Sequence, residues 1–139
     1  MLTRVLFALV VVFGTVPGAM AAEPEVVALG LTDHATSEAE VSKGDALATP
    51  GIDTGGVAYV LVDGLEDGDA VTVRLMNEGN SLMHNVATAE GGKARVFLQA
   101  GKTGVPAGGW PEGGYSAKVE VVRSGETVLE QSSEAMTFD

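Results

Sequence analysis

The sequence contains no cysteine, two histidines and only 8 lysines and arginines in 139 residues. Without cysteine there is no disulfide framework, no thiolate zinc site, no iron–sulfur cluster and no thiol nucleophile. Against the 8 basic residues stand 19 acidic ones, for a net charge of −11. Such a chain lacks the basic patch that displaces counterions from nucleic acid. Two histidines leave little for imidazole-rich metal binding or general-base catalysis. No G-x-S-x-G motif occurs, so the nucleophile elbow of one hydrolase class is missing. Aromatic residues make up only 5% of the chain. The length suits one domain.

The N-terminus reads as an export signal. Arg4 is the first charge and Glu23 the next. Between them, Val5 to Val16 is an apolar run, shorter than the roughly 20 residues of a membrane span. Pro17 and Gly18 break it, and Ala19-Met20-Ala21 supplies a small-x-small cleavage pattern. Residues 1–21 are therefore expected to be a secretory signal peptide. The mature domain, 22–139, is expected in a bacterial periplasm or secreted. It has no second stretch of spanning length and no cysteine for a lipid anchor, so no membrane insertion is expected after cleavage. Loss of Arg4 makes the mature chain one unit more negative.

The mature chain reads as strands and turns. Residues 25–32 are apolar and β-branched, the mark of a strand. Residues 33–56 are mixed; Ser37 and Glu40 have capping-box spacing, but Gly44 and Pro50 leave room for only a short helix. Residues 57–62 (VAYVLV) form a continuous apolar run, as expected of a buried strand. Residues 63–69 are a turn rich in Asp and Gly. Residues 70–77 alternate, with Val71, Val73 and Leu75 on one face. Further strands are predicted over 81–89, 93–100, 115–122 and 127–138, with turns at 78–80, 91–92 and 124–125. A Gly/Pro-rich loop runs from Gly101 to Gly114. About seven short strands with closely spaced turns predict an all-β, antiparallel β-sandwich.

The last third adds a resemblance. Trp110-Pro111-Glu112-Gly113-Gly114-Tyr115, alternation to Val122, a Ser124-Gly125 turn and a terminal Met136-Thr137-Phe138 resemble the final hairpin of exported bacterial immunoglobulin-like or fibronectin-III-like domains. The likeness covers 110–138. The Cys…Trp…Cys pattern of antibody domains is missing. The resemblance implies a sandwich fold and a tyrosine corner at Tyr115. It implies no chemistry.

Four clusters are candidate sites. Met76, Met83 and His84 offer soft ligands for copper, although neighbours on a strand point to opposite faces. Asp63, Glu66, Asp67 and Asp69 concentrate oxygens that suit calcium, although Asp and Gly are also ordinary turn residues. Gly101-Lys102-Thr103 looks like the end of a phosphate loop, but Val96 stands where the first Gly is needed. In the 101–114 loop, Trp110 is either an exposed stacking platform or a plug on the end of the core beside Tyr115.

The expected function is a non-enzymatic binding or assembly module with no cofactor, contacting a protein partner through Trp110, Tyr115 and their loop. The acidic surface would favour a basic partner. An open edge strand is a second contact. The alternative is a periplasmic copper or calcium binder. A small enzyme, with convergent polar groups in a cleft, is a further rival.

Overall fold

A computed structural model describes residues 23–44 and 46–139. The proposed signal peptide, residues 1–21, lies outside the described residues. The chain runs β1 (Glu25–Thr32), α1 (Glu38–Ser42), β2 (Gly56–Asp63), β3 (Ala70–Asn77), β4 (Asn80–Thr88), β5 (Val96–Lys102), β6 (Gly114–Arg123), β7 (Glu126–Ser132) and β8 (Met136–Thr137). All pairings between strands are antiparallel. One sheet has the order β1-β2-β5; the other runs β4-β3-β6-β7, with β8 on the start of β6. The two sheets enclose one core, an all-β sandwich.

Alternation builds that core. In β3, Val71, Val73 and Leu75 are buried while Thr72, Arg74 and Met76 face out. In β6, Tyr115, Ala117, Val119 and Val121 face in. A period of two puts every second side chain on one face. These residues meet Ala58, Val60 and Val62 of β2 and Leu98 of β5.

The continuous apolar run of β2 has its own cause. Its outer residues Val57 and Leu61 are also buried, so both faces of the strand are covered. Residues 33–44 and 46–55 fold across that side. The Gln99 side chain on β5 accepts a hydrogen bond from the Thr36 N–H (2.9 Å) and donates to the Thr36 carbonyl (3.0 Å). The Thr32 hydroxyl and the Asp33 N–H both donate to the Ala48 carbonyl. Within the segment, Ser37 caps the five-residue α1 by accepting from the Glu40 N–H, and Val41 is buried. A strand covered on both faces needs no polar alternation.

The turns follow their residues. Glu78-Gly79 and Ser124-Gly125 are two-residue hairpin loops in which all four residues have positive φ, the condition of a type I′ turn. The structure differs from expectation at two places. β5 begins at Val96 rather than 93, because Lys93 and Ala94 join the turn through bonds to Glu90 and Leu65. The expected last strand, 127–138, is two. Ser133 exchanges bonds with Ala117, its hydroxyl accepting from the N–H and its N–H donating to the carbonyl. Pairing resumes only at Met136.

Candidate functional site

At one end of the sandwich, three aromatic rings meet. Tyr115 and Phe138 stack at 3.9 Å between centroids, and Trp110 stands edge-on to both, at 5.9 and 5.3 Å. The indole N–H donates to the Thr54 carbonyl at 2.9 Å. A Cβ on Gly56 would lie 2.9 Å from the Trp110 ring and 3.0 Å from that of Phe138. Glycine at 56 is therefore what lets the two rings lie against β2. The Tyr115 hydroxyl donates to the Pro111 carbonyl, a bond back across the corner of the chain. Burial pushes the phenol pKa up.

This arrangement corrects the contact role expected of Tyr115. The residue is 1% exposed and offers no ring face to a partner. Trp110 is partly buried, with its N–H already bonded and its edges packed. It closes the end of the core rather than standing out as a platform.

The register also corrects the copper set. Met83 lies opposite Leu75 and packs on the core, while His84 lies opposite Arg74 on the outer face. Met76 is on that outer face too, opposite Ser81, with a bulge between it and the Leu75–Met83 pair. The thioether of Met83 is separated from the other two groups by the sheet. A guanidinium, not a ligand, stands beside His84.

The carboxylates of the 63–69 turn bind their own protein. Asp63 pairs with Arg95 at 3.1 Å. Asp67 accepts from the Gly92 N–H. Asp69 is 1% exposed, and Arg123 grips it through two bonds, Nε to Oδ1 at 2.8 Å and Nη2 to Oδ2 at 2.7 Å. The Glu66 N–H adds a third bond to Asp69. The Arg123 guanidinium holds the Asp69 carboxyl below the usual range. This is a structural ion pair joining the β2–β3 turn to the end of β6. Among the described residues, no group of three or more His, Asp or Glu is placed to hold a metal ion.

His34 is held in the covering segment. Its Nδ1 lies 2.7 Å from Asp33 and its Nε2 lies 3.1 Å from Glu40, while the Thr36 hydroxyl donates to Glu40. Asp33 first, then Glu40, raises the imidazole pKa. The group ties the end of β1 to α1.

The remaining candidate surface is the free edge of β4. Among the described residues five strands are sheet edges, the two-residue β8 included, and β1, β5 and β7 are protected in recognisable ways. β7 carries Glu126 and Glu130 and opposes a register shift at Val121/Val122. β1 carries Glu25 and a bulge at Val27. β5 carries Lys102, and its Gln99 carbonyl accepts from the Asn85 side chain at 3.1 Å. β4 is nine residues long, exposed almost throughout, and carries neither proline nor any Asp, Glu, Lys or Arg, although a bulge at Leu82 interrupts its pairing with β3. Its Leu82 and Val86 are 37% and 51% exposed. The Val86 N–H is not spent on β3; it donates to the Asn85 Oδ1. By the alternation of antiparallel pairing, His84 and Thr88 turn their backbone groups the same way, toward the open edge.

Sequence reasoning raised open edges in general but did not single out β4. Its signal was present: nine uncharged residues in a chain of net charge −11. Which strands are edges is a matter of topology. No protein-family model matches this sequence, and no curated protein matches it significantly.

Proposed function

We propose that this chain is an exported, non-enzymatic β-sandwich module of immunoglobulin-like or fibronectin-III-like type that works by binding or assembly through the edge of β4. The strand order supports the family reading. With strands lettered in chain order, β1, β2 and β5 take the places of A, B and E, and β3, β6 and β7 those of C, F and G. β4 departs from the constant-type pattern by joining β3 rather than the A-B-E sheet. The bond from Tyr115 to Pro111 supports the tyrosine-corner reading. The export reading rests on the signal-like residues 1–21.

A single observation carries the binding reading: β4 is a long, uncharged, exposed sheet edge in an otherwise strongly acidic protein. Main-chain groups on such an edge recognise an extended strand of another chain. The non-enzymatic reading is supported by the engagement of His34, Asp63 and Asp69 in ion pairs, with His34 just past β1 and His84 on β4 of the other sheet.

The test uses the full chain, expressed with its N-terminal segment and purified from the exported fraction. Intact mass should lack residues 1–21. Amide hydrogen exchange of the protein with and without the source cell's exported fraction should protect His84, Val86 and Thr88 when a partner is bound. Protection confined to the Trp110 end, or none anywhere either with that fraction or on concentrating the protein alone, would sink the β4 reading.

A further inference from the structure

We infer that the strand accepted by β4 is β4 of a second copy of this chain, running antiparallel about a twofold axis at His84. The inference rests on the binding reading above and names its partner.

Charge decides first among the edges. Two copies of a protein with net charge −11 repel one another over most of their surfaces. Self-pairing through β7 would bring Glu126 and Glu130 of both copies together, and like charges across a strand pair destabilise it. Self-pairing through β1 brings Glu25 of each copy into the pair. The β5 edge is occupied at Gln99 by Asn85. β4 brings no ionised carboxylate opposite another, and unlike β5, which also lacks carboxylates, it is not bonded at its edge by a side chain of the facing sheet.

Side-chain placement fixes the register. The outer face of β4 carries Leu82, His84 and Val86, because Met83 and Ala87 pack inward on the core. A twofold axis through the His84 pair brings Leu82, at the bulge of β4, near the other copy's Val86. Those two residues are the exposed large apolar side chains of this strand. The pairing brings these apolar side chains together twice. Isologous contacts of this kind are the commonest form of homo-oligomer. The Val86 N–H, held in the single chain by Asn85 Oδ1, is then free to enter the new ladder. One added strand pair makes a small interface, so the dimer is weak and concentration-dependent.

The absence of cysteine makes the test clean. His84→Cys would introduce the chain's sole thiol at the proposed axis. Directly opposed strand residues sit about 4.5–5.5 Å apart at Cα, within disulfide reach. Under mild oxidation this variant should form a covalent dimer at least about tenfold faster than Glu130→Cys on β7, since only the first brings thiols together by pairing. Sedimentation of the unmodified protein should show a dimer that strengthens with salt, because salt screens mutual repulsion. His84→Glu should weaken it roughly tenfold by opposing two carboxylates, and His84→Gln should keep it.

Equal crosslinking rates for the two thiol variants, or a strictly monomeric protein up to about 1 mM at high salt, would overturn self-pairing. If β4 amides are still protected by a different chain, the binding module stands and only the identity of its partner is wrong. If neither occurs, both readings fall.

Discussion

Asp69 is the residue whose loss should cost the fold most for the smallest change in shape. Asp69→Asn keeps the volume and removes the charge. Its carboxylate is 1% exposed and accepts three bonds, two from Arg123 and one from the Glu66 N–H. Breaking a buried ion pair by removing one partner costs about 3–5 kcal/mol, because the other charge stays behind uncompensated. Here the Arg123 side chain retains 19% exposure and a contact with Glu66 at 3.6 Å, which places the loss near the lower end, about 3 kcal/mol. For a domain of this size that is a fall in Tm of roughly 12 °C. Urea unfolding should show a lower midpoint with an unchanged slope. The pH dependence gives a second check. Arg123 lowers the folded-state pKa of Asp69. Its contribution is therefore complete above the ordinary carboxylate value and disappears as pH falls through the lower folded value. Native and variant proteins should differ at pH 7 and converge in acid. A loss under about 1 kcal/mol at pH 7, the size of a surface pair, would refute the reasoning, as would a gap that persists in acid.

Three other outcomes are expected. Tyr115→Phe should lower stability by about 1–2 kcal/mol in chemical unfolding, because it deletes the hydroxyl's bond to the Pro111 carbonyl in a 1% exposed side chain; no change would mean that the ring alone matters. Trp110→Ala should cost about 2–4 kcal/mol and leave exchange of His84 to Thr88 unaltered, since the indole packs on Tyr115, Phe138 and Gly56. A variant that stays stable but loses partner binding would restore Trp110 as a contact. NMR titration should place the His34 pKa above the ordinary value of 6.5, with Asp33 as the main cause and Glu40 as the second. Its contribution is present below that value and lost as pH rises through the higher one, so amides of α1 should exchange faster at alkaline pH than intrinsic rates require, and His34→Gln should remove that excess.

The comparison of chain and fold divides along a physical line. Local chemistry was legible in the residues. The inward faces of β3 and β6 follow from a period of two, and Val71, Val73, Leu75, Val119 and Val121 are buried as that period requires. Glu78-Gly79 and Ser124-Gly125 mark hairpins because glycine accepts positive φ. Ser37 caps α1 because its oxygen reaches an N–H three residues on. Even the split of Met83 from His84 was implicit in adjacent positions on a strand.

Other features depended on which distant residues became neighbours. Asp69 looked like one more acid of a turn until the fold brought Arg123 to it across 54 positions. Trp110 could stand out or plug the core; Gly56 and Thr54, far back in the chain, decided that it plugs. β2 reads as apolar on both faces, but only Gln99 holding Thr36 explains what covers the second face. The nine uncharged residues of β4 could have formed a central strand, where they would be unremarkable. Sheet order left them at an edge. Periodicity, turns and caps act over a few residues, so the sequence alone determined them. Partners across the core and the identity of the edges arise from long-range pairing, so only the tertiary structure decided them.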